Sequence, residues 1–520
     1  MATLVPPPSK RQKRLDQQPR EIEEIPQDLP NVTVRFQASD TGAITGGNVR
    51  VPGNATEKQL ELLLNQLAKD PNADDDDDDQ VPYSFALYKP DTNETVDIHS
   101  DLYTSILKPG HRSTEDVFTI VYTPRAVFKV RPVTRSSDPM TGHGATILAA
   151  QFAPHTSSRM VTGSGDATAR IWDCDTYTPF KTLSGHTDWV LAVGWSPDGT
   201  MIATGSQDKT VRVWNPKTGE QIGAPYRGHT DRITGLCWEP LHLVANDKSP
   251  RLASCSKDGT IRVWDVDTHT CTFTMSGHKS TVSCVKWGGL GDIYSTSHDR
   301  TVKVWSSKDG RLIHNLQAHA HWVNHLALST EYALRTGPFD HRGKTGELSA
   351  NPTAQELREK AKEKFEKQAK IGGRVCERIV TASDDFTMYL WEPAKGSKPL
   401  CRMTGHQKVV NHVAFSPDGR FIASASFDKS VKLWNGIDGK FISTFRGHVA
   451  SVYQCAWSSD CRLLVSCSKD TTVKVWDVGK KKLLSDLPGH RDEVYAVDWS
   501  VDGNRVASGG KDKSVRIWTH

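Results

Sequence analysis

A mainly β chain organised around an eight-bladed propeller is predicted by three observations: a recurring tryptophan, a fixed polar set tied to each tryptophan, and alternating apolar runs between them. The tryptophans are Trp172, Trp214, Trp264, Trp305, Trp391, Trp434, Trp476 and Trp518, and neighbours mostly stand 41 to 43 residues apart. Six residues before each stands an aspartate (Asp166, Asp208, Asp258, Asp299, Asp385, Asp428, Asp470, Asp512), and four before that a hydroxyl residue (Thr162, Thr204, Ser254, Ser295, Thr381, Ser424, Ser466, Ser508). A histidine heads every unit (His143, His186, His229, His278, His319, His406, His448, His490), and the segment between it and the hydroxyl alternates as half-buried strands do.

Each element of the unit has a physical role. A buried indole N–H needs an acceptor, and a hydroxyl can accept from it while donating to an imidazole whose other nitrogen is held by the turn carboxylate. This set resembles the WD-repeat family, although the Trp-Asp pair itself stands only at Trp172-Asp173, Trp264-Asp265 and Trp476-Asp477. The same residue types build hydrolase triads. Catalysis is not expected of them, because a nucleophile must be exposed beside an oxyanion hole and no enzyme needs eight copies. No phosphate-binding loop, His/Cys metal cluster or nucleophile elbow stands elsewhere, so no enzyme activity and no intrinsic metal or cofactor are expected.

The last repeat ends at Trp518-Thr519-His520, with no residues left for an outer strand, whereas an extended stretch, Ala126 to Thr134, precedes the first repeat. That stretch is expected to complete the last blade and close the ring, leaving no open edge. The propeller is then 142–520, with 126–141 as linker and closing strand. The 520 residues leave room for a second domain, and the net charge of +4 is mild. Ten cysteines without a Cys-x-x-Cys read as free thiols in a reducing compartment. With no visible signal peptide, membrane span or lipidation motif, a soluble intracellular protein is expected.

Residues 1–30 form a polar tail in which Pro6-Pro7-Pro8 is followed by Lys10, Arg11, Lys13 and Arg14. The cluster reads as a solvated tail, an import signal or an RNA-touching arm. Residues 31–125 read as a compact α+β unit: strands at Val32 to Phe36 and Asn48 to Val51, a helix capped by Thr56 and carrying Leu60 to Leu67, then strands at Tyr83 to Tyr88, Thr95 to Ile98 and Val117 to Tyr122. With a helical turn near Leu102 to Ile106, this order of strands and helix resembles the ubiquitin-like fold. The acidic run Asp74 to Asp79 reads as a self-repelling loop, since a metal cage needs interleaved turn residues.

A ubiquitin-like unit ahead of eight such repeats, the linker Tyr122 to Arg135 and the stretch Gly447 to Tyr453 together resemble the Notchless family of ribosome-assembly factors, over essentially the whole chain. The resemblance implies a nuclear and nucleolar protein whose propeller docks on the precursor of the large ribosomal subunit. It also implies that the ubiquitin-like domain binds the metal-ion-dependent adhesion site of midasin, an AAA-type ATPase. Glu115 matches the carboxylate that completes the octahedral shell of the partner's Mg²⁺, with Asp116 as the shorter competitor. Without the family, Glu115 is an ordinary loop acid.

On the propeller, Lys209, Lys257, Arg300, Lys429, Lys469, Lys511 and Lys513 flank the turn aspartates and predict a basic rim, which either faces rRNA phosphates or serves solubility. Trp189, Arg232 and Trp322, three residues after their histidines, point to the central opening as partner contacts or as packing against the next blade. The fifth repeat is interrupted from about 340 to 378 by a charged helical segment, Thr353 to Ile371, expected to project into solvent. Two other functions compete with assembly. A ubiquitin-ligase substrate receptor commonly carries Trp-Asp-x-Arg, but the fourth positions here are Asp175, Lys217, Asp267, Lys308, Ala394, Ile437 and Gly479. A Notch-pathway adaptor is suggested by the family's name alone.

Overall fold

The computed structural model describes residues 31–38, 43–68, 83–89, 94–98, 102, 117–124, 130–245, 248–342, 352–371 and 374–520. The basic tail, the acidic run, residues 103–106 of the turn expected from Leu102 to Ile106, Glu115 and Asp116 lie outside them. The chain divides into two compact units, Met1–Val127 and Phe128–His520.

In the first unit, β1 (Asn31–Ala38), β2 (Ile44–Pro52), α1 (Glu57–Ala68), β3 (Tyr83–Lys89), β4 (Glu94–Asp97) and β5 (Val117–Pro124) form one sheet in the order β2-β1-β5-β3-β4. Its centre is a parallel pair, β1 with β5, flanked by antiparallel partners. This mixed order is that of ubiquitin-like folds. The period of two places Val32, Val34 and Phe36 inward, where they meet Leu60 and Leu64 of the helix. Gln59 closes the helix start by accepting from the Thr56 amide at 2.9 Å, the reciprocal half of a capping box.

The second unit is a ring of eight antiparallel sheets. In every blade the indole N–H donates to the hydroxyl at 2.7 to 3.0 Å. The hydroxyl lies 2.7 to 2.9 Å from His Nε2. His Nδ1 lies 2.7 to 3.0 Å from the aspartate. The eight hydroxyl residues are 0% exposed and already accept from tryptophan, so none is presented as a nucleophile. Burial alone raises the Asp166 carboxyl, but bonds from Thr168, His143 and the Gly144 amide bring it down to about 2. The residue after each aspartate sits in the left-handed region, for example Lys209 at φ 69°, Arg300 at φ 70° and Gly259 at φ 80°. For a non-glycine that conformation costs about 1 kcal/mol, offset by the aspartate's bonds around the turn, such as Thr210 N to Asp208 at 2.9 Å.

The eighth blade takes its outer strand from the start of the unit: β6 (Arg135–Ser136) pairs with Thr519 and Trp518. Flanking bonds run from Thr134 N to Thr519 O and from Met140 N to Val515 O. Of the expected stretch Ala126 to Thr134, residues 126–129 lie outside the described ones, and the described part bonds to the last blade only at Thr134, with strand pairing at Arg135–Ser136. Val130 and Val133 instead pack as buried plugs among Leu463, Trp499 and Trp518, and the Val130 amide donates to Asp460 at 2.9 Å.

The fifth blade departs most from expectation. Between its first strand, ending at Leu328, and its second, starting at Ile379, the chain forms α2 (Glu331–Thr336) and α3 (Ala354–Ala369). Instead of projecting into solvent, α3 buries Ala361, Phe365 and Ala369. Phe365 stacks on His242 with centroids 4.8 Å apart, and Gln368 donates to Ser329 O and Pro417 O. Three apolar residues spaced by four make one continuous stripe, enough to dock a helix that is otherwise charged. From α2, Glu331 meets Lys286 at 2.5 Å and Arg335 meets Asp498 at 2.7 Å. Phe339 packs on His155, and Gly337 lies so close to Pro197 O that a Cβ would stand at 2.6 Å. The insert thus spans the face formed by turns such as Pro197 to Gly199, tying the fifth blade to blades on every side of the ring.

Candidate functional site on the open face

The innermost strands enclose a central cavity of about 690 Å³ whose lining runs from His298, Tyr453 and Tyr495 at one end to Glu331, Tyr332 and Arg335 of the insert at the other. The end away from the insert carries the His loops and Asp turns, and it gathers the exposed side chains expected to meet partners.

Trp189 is 50% exposed and Trp322 48%. Both also touch the neighbouring blade: a Cβ on Gly165 would stand 3.5 Å from the Trp189 ring, and Trp322 stacks on His298 with centroids 4.6 Å apart and planes 9° apart. Partner contact and packing are therefore compatible in one side chain. Around Trp322 the structure assembles a polar group. Asn324 donates to Asp384 at 2.7 Å, and His321 Nδ1 lies 3.5 Å from the same carboxylate. Burial pushes the His298 imidazole down, opposed by Asp384 and aided by Arg232 and His321, which places exposed Arg232 within electrostatic reach.

The seven expected rim cations are all exposed, but they do not form an unbroken basic ring. Lys257 pairs with Asp231 at 3.4 Å, Lys469 with Glu493 at 3.5 Å and Lys511 with Asp492 at 3.5 Å. Among the described residues, Lys209, Arg300, Lys429 and Lys513 make no ion pair. Positive potential thus concentrates at four turns, because acids two or three residues after the histidines neutralise the other three.

Tyr453 and Tyr495 were absent from the expected site. They pack with centroids 5.1 Å apart, and both donate to Glu493, at 2.8 and 3.0 Å. Phe427 meets Tyr453 edge-on, while on the same face Phe386, after Asp385, and Val449, after His448, are 42% and 73% exposed. The signal lay five residues after each histidine, a position that the strand period points into the channel mouth and that is aromatic only in these two blades.

Glu115 and Asp116 immediately precede β5 in the chain and lie outside the described residues. Among the described residues no cluster of three or more His, Cys, Asp or Glu side chains is placed to hold a metal, and no helix is long and apolar enough to cross a membrane. The ten cysteines are free thiols, six of them buried, and burial pushes Cys174 up to about 12 and Cys237 up to about 11.

Comparison with known proteins respects the same division. Segments 135–173, 177–215, 219–265, 269–306, 397–435, 439–477 and 481–519 match the WD domain, G-beta repeat family, and residues 32–105 match the NLE (NUC135) domain. The chain is 64% identical to Ribosome assembly protein 4 of Saccharomyces cerevisiae, over 86% of this chain and 85% of the relative. It is 48% identical to the Notchless protein homolog of Arabidopsis thaliana over 78% and 80%, and 44% identical to Protein Notchless of Drosophila melanogaster over 73% and 74%. A crystal structure of a computationally designed protein matches 73% of this chain and 98% of its own, at TM-score 0.56 and 26% identity. An NLE domain joined to an eight-bladed propeller, with this identity across both, makes the chain a member of the family of Notchless and Ribosome assembly protein 4.

Proposed function

We propose that the protein is a non-enzymatic assembly factor of the large ribosomal subunit, acting in the nucleus and nucleolus. The likeness to Ribosome assembly protein 4 carries this reading, since it extends through both units and the relative's name states a role in ribosome assembly. In this reading the open face of the propeller docks on the precursor particle through Trp189, Arg232 and Trp322, with the unpaired rim cations toward rRNA. The N-terminal domain offers Glu115 to the Mg²⁺ of a midasin-type AAA ATPase, with Asp116 as the weaker carboxylate. A rigid ring and a detachable metal-mediated handle suit a factor that is pulled from its particle.

Affinity purification of the wild type and of Glu115→Ala tests the proposal. The wild type is expected to recover large-subunit precursors and the ATPase, and the variant to keep the precursors while losing Mg²⁺-dependent ATPase binding. Recovery of ligase subunits or membrane receptors without precursors sinks the assembly role, and equal ATPase binding in EDTA sinks the metal bridge.

A further inference from the structure

In the fourth blade Lys279, Arg300 and Lys303 converge on a pocket of about 440 Å³, walled also by Asn315, Gln317 and His319. Lys303 is only 6% exposed, and its ammonium donates to the neutral amide oxygen of Asn315 at 3.2 Å. An ammonium has three N–H donors, so this bond leaves both charge and donors to be met. The carboxylate that lines the pocket, Asp299, is committed elsewhere. It accepts from Thr301 N at 2.9 Å and Thr301 Oγ1 at 2.6 Å, and its other oxygen faces His278 Nδ1 at 2.8 Å and Lys279 N at 2.9 Å.

Cations recur at this strand position and mostly face neutral cross-strand partners: Arg170 faces Thr182, Arg262 faces Thr274 and Lys432 faces Thr444, but these three are only partly buried. Lys474 of the seventh blade is buried as Lys303 is, and its cross-strand partner, Asp486, neutralises it at 2.8 Å. Lys303 combines burial with a neutral partner, Asn315, so the fourth blade keeps its buried charge. Burial lowers the Lys303 ammonium and nearby Lys279 acts in the same direction, against Asp299, as befits like charges sharing one pocket. An aromatic platform adjoins residues of the pocket's wall in the chain, outside its lining. His298, one residue before Asp299, is the ring on which half-exposed Trp322 stacks.

A cationic pocket beside an exposed indole matches the two surfaces of a single strand of nucleic acid, phosphate and base face. A phosphopeptide would use the cations but gain nothing particular from the indole. We propose that this pocket seats a backbone phosphate of single-stranded RNA whose neighbouring base lies on Trp322; the idea deepens the RNA-facing reading of the rim and rests on it.

Fluorescence anisotropy of a labelled oligouridine with the full chain provides the test. The variant Lys279→Ala/Arg300→Ala alters exposed side chains and leaves the blade's core untouched, and Lys429→Ala/Lys513→Ala removes the same charge elsewhere on the rim. The pocket variant is expected to weaken binding about tenfold and to lower the salt slope by about 1.4, at roughly 0.7 per lost contact. The rim control is expected to weaken it less than about threefold, because exposed cations are screened. Trp322→Ala is expected to weaken binding about tenfold without changing the slope. Equal losses in the two double variants overturn the pocket while leaving the rim's RNA reading intact. Absence of salt-dependent binding by the wild type overturns both. Binding of a phosphoserine peptide that the pocket variant abolishes, with RNA binding unchanged, also overturns the proposal.

Discussion

On the face of the His loops and Asp turns, Trp189 and Trp322 remain about half exposed, whereas on the opposite face Phe365, on the buried side of α3, is 4% exposed. The same eight-blade scaffold supports both, so the difference comes from the insert between the first two strands of the fifth blade. That insert covers one face with apolar contacts and ion pairs, and the other face keeps its aromatic side chains for partners. Changes on the covered face should therefore alter stability, and changes on the open face should alter binding.

The largest effect is expected from Phe365→Ala, which removes a buried ring stacked on His242. Chemical denaturation should show a loss of about 3 kcal/mol, with precursor association retained by the folded fraction. An unchanged midpoint would return the insert to the solvent-projecting helix that its charge pattern predicts. Arg335→Ala comes next. It deprives Asp498, 5% exposed, of its cation, while the Phe152 amide still donates to that carboxylate at 2.8 Å. A loss of about 2 kcal/mol is expected, below that of a fully enclosed pair because the arginine is partly solvated.

The channel between the faces adds a pH dependence. His325 and His412 lie with ring centroids 4.2 Å apart. Burial, then the charge of Lys286, brings His412 from 6.5 down to about 4, opposed by Glu331, and burial, then the charge of His412, holds His325 well below its ordinary range. A depressed folded pKa means the unfolded chain takes up the proton first. The stability contributed by His412 is therefore complete above pH 6.5 and is lost as pH falls toward about 4. Relative to wild type, His412→Gln should flatten that part of the pH–stability curve. The blade aspartates act in a lower window, with the Asp166 contribution being lost as pH falls from 3.8 toward about 2. If the variant and the wild type show the same slope between pH 6.5 and 4, the histidine is not the sensor.

The smallest effect on stability is expected on the open face. Trp322→Ala should change unfolding free energy by about 1 kcal/mol or less, since only one side of the indole packs, yet it should reduce recovery of precursor particles. A melt that falls sharply with association intact would make the indole a packing residue and erase the contrast between the faces.

The repeat was legible because it is local. Each Trp, hydroxyl, His and Asp answers to partners within its own blade, so spacing alone identifies them. The exposed Trp189, Arg232 and Trp322 were legible for the same reason, at a constant offset from their histidines. The pairing of Lys257, Lys469 and Lys511 was not, because their acids sit in another loop, of the same blade for Lys257 and Lys511 and of the next blade for Lys469, and only the packing of strands and blades brings carboxylate and ammonium together. Likewise, the Lys303 pocket depends on Asn315 standing opposite where another blade has aspartate, a comparison that requires strand register.

The sequence by itself determined the blade count, the buried polar network, the separate N-terminal unit and the use of early residues to finish the last blade, since these are consequences of period, composition and a missing final strand. Only the tertiary structure decided that β6 falls at Arg135–Ser136 and that α3 lies against the ring. It also decided which cations remain unpaired. Each of these rests on contacts between residues far apart in the chain, where a stripe as small as Ala361, Phe365 and Ala369 becomes decisive only when a complementary surface, here His242 and Gly289, is already in place.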